Sequence, residues 1–491
     1  MQPEIKKASQ EDPCNAKNNN KLDINLLTTL NDSKFVAKIS EKIFLLSPSD
    51  ELLERIIKSN TFANPKYSAN ELNGHSNWQT SSTIETYQKY PDGLISVPRG
   101  FLPELLALCK ELNIDLSIED NRIESPVIFP PLNGVTLRPY QERVVFQAMQ
   151  SDQGVVISPT GSGKSLMGLE LIRRRTQKSL IIVHRGELAR QWQDKIKECM
   201  GIETGFIGDG EWTIGDQITI AMVQTLASRE IESKTLSNAF GLILLDEVHH
   251  APASTFFDVL GHLSAKFLYG LSATIERADG LEKMIYRAIG PAVATISKQE
   301  VEGIGATVPA EVISIQTGFN PGYVNSWCEY LDSLSANSNR NMLIINLAQK
   351  HDGAALIIVD RVAHAEQISE MLSRRNIDHV LAHGKVCKKN RDSIMERIRS
   401  AKITVGTTSL LGEGIDVSVW SVLIMGSPIS SEIKLMQAIG RIVRPSPGKE
   451  KALCFDLKDD CGFSGASFKK RFEIYKKHKI WVEFSRNKTG Y

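Results

Sequence analysis

Short apolar runs punctuate the middle of the chain: "GVVISP", "SLIIVH", "ITIAMV", "LILLDE" and "FLYGLSAT". Between them lie longer segments whose apolar positions recur every three or four residues. Runs of the first kind predict strands buried on both faces, and the spacing of the second predicts amphipathic helices. From "VTLRPYQERVVFQAM" onward the alternation therefore predicts a parallel sheet with right-handed crossovers. The same rhythm returns after about residue 310 in "AALIIVD", "HVLAHG", "KITVGTTS", "VLIMGS" and "KALCFDL". It predicts a second α/β unit of similar size, with "PAVATISKQEVEGIGATVPAEV", near 291–312, as the hinge between the two.

Upstream the pattern is different. Residues 1–33, rich in Asn, Lys and Asp, predict a flexible tail. From about 35 to 125 a small α/β unit is expected: "KFVAKISEKIFLL" reads as a strand, and "DELLERIIKSN" and "GFLPELLALCKELNI" as helices beginning at Asp50 and Pro103. A proline-bearing connector, "SIEDNRIESPVIFPPLNG", closes it. The expected organisation is a tail (1–33), a small N-terminal α/β domain (34–128), a first α/β domain (129–300), a second (308–465) and a basic extension (466–491).

Composition narrows the class. The chain has 491 residues, is 42% hydrophobic and carries 58 Lys+Arg against 57 Asp+Glu, which suits a multidomain globular protein with no global charge bias. Any nucleic-acid track must therefore be a local lining. No apolar run is long enough to span a bilayer and the N-terminus lacks an apolar signal core, so the expected home is the cytoplasm. The seven cysteines are scattered, with no CxxC pair, which argues against a disulfide framework or a structural zinc site.

"VVISPTGSGKSLMG" carries the first chemistry. A strand, a turn of small residues and a helix start form the context in which backbone N–H groups cradle a phosphate. Gly161 and Gly163 let the chain turn, and Pro159, Thr160 and Ser162 complete the loop. Lys164 would neutralise the β- and γ-phosphates and Ser165 would offer its hydroxyl to Mg²⁺. Ser158 occupies the position where the strict pattern has glycine. The second half is "GLILLDEVHH", 82 residues on from Lys164. There an apolar strand delivers Asp246 to hold Mg²⁺ and Glu247 to polarise the attacking water. His249 is read as a relay to neighbouring loops, His250 equally as a relay or a packed side chain.

With "SPTGSGKS", "DEVH", "LSAT" and "QAIGRIVRP" in this order, residues 136–460 resemble the superfamily 2 helicase core. The resemblance implies two RecA-like domains in tandem behind the small N-terminal domain, with ATP in the cleft and nucleic acid across the top. By the same resemblance Gln437, Arg441 and Arg444 reach the nucleotide from the second domain. Their spacing also suits a solvated helical stripe. "GTTSLLGEGIDV" resembles the motif in which Thr407 or Thr408 touches a backbone phosphate and Gly414 and Asp416 face the nucleotide. "LRPYQ" resembles the adenine-reading motif, with Arg138 and Gln141 at the base edge and Tyr140 packed. Gln141 reads equally as a polar residue at a helix start.

"VHRGELARQW", "AMVQTL" and "LSATIERADGLEKMI" look like XPB-like and UvsW-like DNA motors, including phage and prokaryotic relatives. Ala278, between Arg277 and Asp279, departs from the Arg-Glu-Asp of XPB-type proteins. The resemblance implies an ATP- and Mg²⁺-dependent 3′→5′ DNA helicase acting on single-stranded, forked or branched DNA. His184, Arg185, Gln224, Thr225, Thr407 and Thr408 are the expected strand contacts. In the N-terminal domain, Lys89, Arg99 and Trp78 are candidate contacts, since cations hold phosphates and aromatics stack on bases. The terminal "SFKKRFEIYKKHKIWVEF" fits either a DNA track or a docking helix with a wet basic face. Three other readings fit the same motifs: a duplex translocase driving branch migration or annealing, an ATP-gated clamp serving a partner nuclease or primase, and an RNA helicase. Recombination proteins are further expected partners, and a monomer is the expected state.

Overall fold

The computed structural model describes residues 35–72, 74–159, 161–229, 235–248, 253–273, 281–303, 307–383, 388–408, 419–446 and 448–486. The expected tail, 1–33, lies outside them.

The N-terminal unit is a five-stranded sheet in the order Gln88–Lys89, Leu94–Pro98, Lys42–Leu46, Phe35–Ile39, Leu116–Asp120. "KFVAKISEKIFLL" is an antiparallel hairpin that breaks at Ser40–Glu41, where one strand was expected, with Ile39 opposite Ile43. No Gly, Pro or Asn marks that turn, so the apolar pattern alone reads as continuous. Helices Asp50–Ser59 and Leu102–Glu111 cover the sheet. Ser49 caps the first by accepting from the N–H of Leu52. Ile43, Leu45, Leu52, Ile56, Val97 and Phe101 close the core.

The first large unit is an eight-stranded sheet. Its order is Glu211–Trp212, Gly205–Gly208, Ile218–Met222, Ser179–Val183, Leu242–Asp246, Phe267–Ser272, Gln153–Ile157, Ala292–Thr295. All pairings but that of the first two strands are parallel. Five of these strands are the apolar runs of the sequence. The expected hinge is partly wrong: Ala292–Thr295 pairs with Gln153–Ile157 as the edge of this sheet, and Ala310–Gln316 already belongs to the next one. Short, half-exposed strands carry too few apolar positions to be read from pattern alone.

The second large unit is a seven-stranded, all-parallel sheet. Its order is Val380–Ala382, Ile403–Thr407, Ala354–Val359, Trp420–Met425, Ala452–Lys458, Ala310–Gln316, Trp481–Arg486. The basic C-terminal run is built into it. Helix Gly462–Lys477 packs on the sheet and Trp481–Arg486 forms its edge. Arg471, fully buried, donates from Nε and Nη2 to the two Asp456 carboxylate oxygens at 2.8 and 2.7 Å. The Tyr475 hydroxyl also donates to Asp456, at 2.9 Å. Such a pair is costly to bury and strongly destabilising to break, so Arg471 holds the helix down. Lys469, Lys470, Lys476 and Lys477 remain exposed.

The N-terminal unit docks on the first large one. Arg99, 3% exposed, donates from Nη1 to the Ala265 carbonyl at 2.6 Å and from Nη2 to that of Lys266 at 2.9 Å. Its Nε donates to Gln153 Oε1 at 3.2 Å. Arg287 reaches back to Glu104 at 2.6 Å and lies over the Phe101 ring. Arg99 is therefore a fastener between units, which corrects its reading as a DNA contact. Lys89 and Trp78 are exposed.

Candidate functional site

The site is assembled at the carboxyl ends of the first large sheet's strands, where open α/β sheets bind ligands. Strand Gln153–Ile157 ends in the small-residue loop, and helix Lys164–Arg175 begins immediately after it. Gly161 and Gly163 both have left-handed backbone, φ 86° and 83°. A Cβ on Gly163 would stand 2.4 Å from Gln141 Nε2, and one on Gly161 3.0 Å from the Thr307 methyl. Both positions thus favour glycine for conformation, and Gly163 for space as well.

The loop is braced from behind. Tyr140 Oη and Gln141 Nε2 both donate to the Ser162 carbonyl, at 2.7 and 2.8 Å. Gln141 Oε1 also accepts from the Arg138 N–H at 2.8 Å, closing the start of helix Pro139–Met149. Gln141 thus sits at the helix start, and it also holds the loop. Tyr140 does more than pack. Ser162 is fully buried, its N–H and hydroxyl donating to the Pro159 carbonyl and its hydroxyl contacting that of Ser158. Its side chain is spent on shaping the loop. The Ser158 hydroxyl thereby does structural work where the strict pattern has glycine. Arg138 is exposed, Pro159 and Ser165 are half-buried, and Thr160 lies outside the described residues.

Strand Leu242–Asp246, buried throughout, presents the acidic pair. Asp246 is 6% exposed and accepts from Trp192 Nε1 at 2.9 Å. Burial first, and the neighbouring Glu247 carboxylate second, push its pKa up to about 6. Glu247 follows in left-handed backbone, φ 51°, a conformation that costs a non-glycine residue about 1–2 kcal/mol and that aims it at the loop. Its Oε1 lies 2.6 Å from Lys164 Nζ, both side chains being mostly buried. Among the described residues no group of three or more His, Cys, Asp or Glu could hold a metal alone. By their chemistry Asp246 and the Ser165 hydroxyl suit a divalent cation, which they would hold as oxygen donors. Two adjacent, poorly solvated carboxylates are the electrostatic reason a cation belongs there. Trp192, which fixes Asp246, was not singled out from sequence. Its signal was an apolar residue on the inner face of helix Gly186–Met200.

Of the expected strand contacts, His184 is buried at the end of strand Ser179–Val183 and Arg185 stands at the N-terminus of the next helix, Gly186–Met200, without a capping side-chain bond. Gln224 Nε2 donates to the His184 carbonyl at 3.0 Å, which brings two of them together. Thr225 is half-buried in the short helix Val223–Ser228. In the second large unit, Thr407 is buried at a strand end and the Thr408 hydroxyl donates to Asp360 Oδ1 at 3.3 Å. Gln437 and Arg441 lie on helix Glu432–Ile442, and Arg444 follows it. Arg441 is 8% exposed and burial lowers the Arg444 pKa, so a solvated stripe is excluded. Lys449, missed in the sequence, donates to the carbonyls of Trp420 and Arg444 at 2.6 and 2.7 Å and anchors this segment. His249, His250, Arg277, Ala278, Asp279, Gly414 and Asp416 lie outside the described residues.

Two family profiles match at the places this geometry occupies: type III restriction enzyme, res subunit, over residues 134–277, and helicase conserved C-terminal domain over 338–446. The chain belongs to helicase superfamily 2. It is an ATP-hydrolysing helicase with two tandem RecA-like domains. Its relatives include probable helicase D10 of Escherichia phage T5, 28% identical over 404 residues that cover 79% of this chain and 87% of that protein. Another is the DNA 3'-5' translocase XPB2 of Sulfurisphaera tokodaii, 25% identical over 377 residues, covering 68% and 84% of the two chains. Among solved structures, S. cerevisiae Dbp5 bound to RNA and ADP BeF3 superposes with a TM-score of 0.54 at 18% identity. It covers 79% of this chain and 94% of that one, and the likeness concerns the fold.

Proposed function

We propose that this helicase is an ATP- and Mg²⁺-dependent DNA motor that moves 3′→5′ and unwinds or remodels forked and branched DNA. The observation that carries the ATPase half is the Lys164–Glu247 ion pair, 2.6 Å long, beside the buried Asp246. A γ-phosphate arriving in the glycine loop offers Lys164 a stronger partner. Lys164 then leaves Glu247, whose carboxylate is released to orient and deprotonate the attacking water. Mg²⁺, held by Asp246 and the Ser165 hydroxyl, would neutralise phosphate charge. Arg441 and Arg444, with Gln437, are proposed to meet the developing charge from the second domain, which ties hydrolysis to closure. The left-handed Glu247 backbone and the doubly braced loop supply preorganisation.

DNA as the track is supported by the name of the archaeal relative, a DNA 3'-5' translocase, and by polar side chains near strand ends in both domains. His184, Arg185, Gln224, Thr225, Thr407 and Thr408 would hold one strand by its backbone without reading sequence. The test is a gel assay on a labelled fork and a labelled four-way junction, with ATP and Mg²⁺. ATP-dependent conversion is expected from the wild-type chain and none from Lys164→Ala. Binding without conversion of either substrate would replace the motor with an ATP-gated clamp.

A further inference from the structure

The second large domain holds a cavity of about 430 Å³ that the ATPase chemistry does not use. It opens at the carboxyl ends of three adjacent strands, Ala354–Val359, Ile403–Thr407 and Trp420–Met425, where Asp360, Thr408 and Pro428 line it. The chain leaves the central strand toward one side for Val380–Ala382 and Ile403–Thr407 and then crosses to its other side for Trp420–Met425, the kind of crossover point at which α/β sheets take ligands. Its size suits one nucleotide.

The walls have a definite chemistry. Trp327 and Phe463 line one side. Both rest on Tyr330, Trp327 tilted at 5.5 Å between centroids and Phe463 stacked at 6.2 Å. Tyr330 is itself buried, its hydroxyl donating to Asp459 at 2.6 Å. The aromatic pair is thus held on a fixed support while remaining half-exposed. Lys434 and Lys470 line the rim, both exposed, and among the described residues neither ammonium has a carboxylate partner. Ser430 and Ser431 add hydroxyls. The carboxylate in the lining, Asp360, already accepts from Thr408. Aromatic wall, cationic rim and hydroxyls are what a π-faced base with an attached phosphate requires.

We propose that this pocket seats one unpaired nucleotide of the tracked DNA strand, its base against Trp327 and Phe463 and its phosphate at Lys434 and Lys470. The inference rests on reading this chain as a DNA motor and adds a stacking subsite to backbone contacts that are blind to the base. A stacked base acts as a pawl: the strand can slip only if the base leaves the aromatic wall.

The test is equilibrium binding of a fluorescein-labelled single-stranded DNA at several salt concentrations, joined to photocrosslinking of a 5-iododeoxyuridine-substituted strand. Trp327→Ala should weaken single-strand binding about tenfold, and Trp327→Phe should restore most of it. Lys470→Gln, at an exposed position, should lower the salt slope by about 0.7. The crosslink should fall on Trp327 or Phe463. Wild-type affinity in Trp327→Ala, or crosslinks only elsewhere, would overturn the pocket and leave the motor standing when the wild-type chain binds the strand. A wild-type chain with no single-strand affinity would overturn both.

Discussion

Replacing Arg99 with Met should loosen the N-terminal unit from the first RecA-like domain. In the wild-type chain the guanidinium makes three hydrogen bonds to the other unit, two of them to the carbonyls of consecutive residues, Ala265 and Lys266. Bonds from a charged donor contribute about 1.5–3 kcal/mol each. Against this, burial holds the Arg99 pKa down at about 9 from 12.5, with the nearby Arg122 adding to the effect. That depression corresponds to about 5 kcal/mol against the charged form. The two contributions largely offset each other, so the fastener's net worth is small compared with its gross bonding. Methionine keeps much of the volume but leaves the buried Ala265 carbonyl without a donor and that of Lys266 with only the 3.4 Å bond from Arg122 Nη1, at about 1–3 kcal/mol each. The expected loss is about 2–5 kcal/mol. Urea denaturation should show the N-terminal unit separating as its own early transition, and limited proteolysis should cut the 121–138 connector faster. A variant with the wild-type midpoint and digestion pattern would refute the reasoning.

Three other substitutions or conditions probe separate links. Glu247→Gln should keep nucleotide binding, read with a fluorescent ATP analogue, while steady-state turnover falls by at least about 10²-fold; normal turnover removes its role as base. Gly163→Ala forces a side chain into left-handed backbone and against Gln141, costing about 2 kcal/mol in thermal unfolding and weakening ATP binding. Wild-type values for both would show that the loop tolerates a Cβ. His364, buried beside Arg340 with Nε2 2.8 Å from Asn341 Oδ1, has its pKa driven down from 6.5 to about 3, chiefly by burial. A depressed folded pKa means that the unfolded chain takes the proton first. Stability is therefore full above pH 6.5 and declines as pH falls toward 3, by about 2 kcal/mol at pH 5 from this residue. In His364→Gln that acid-side slope should shrink by one proton; an unchanged slope contradicts it.

Much of the core was legible because its chemistry is local. The two sheets follow from short apolar runs buried on both faces, and strand, glycine turn and helix start stand next to one another in "VVISPTGSGKS". What escaped depends on distant partners. Nothing near Arg99 in sequence says that its donors end on Ala265 and Lys266. Nothing near Arg471 tells a buried fastener from a basic surface, since its neighbours Lys469 and Lys470 are exposed. Trp192 and Tyr140 look like core residues by spacing, and only the fold shows one bonded to Asp246 and the other to Ser162. Edge strands such as Ala292–Thr295 are half-exposed and so lose the apolar signature that betrays the central ones.

Steady-state ATP hydrolysis tests the central claim most directly. It should be measured at one fixed salt concentration without nucleic acid and with single-stranded DNA, duplex DNA, a four-way junction or RNA. The account predicts slow hydrolysis by the free chain, strong stimulation by single-stranded or branched DNA, and none of either in Lys164→Ala. Slow hydrolysis that no DNA accelerates would contradict it.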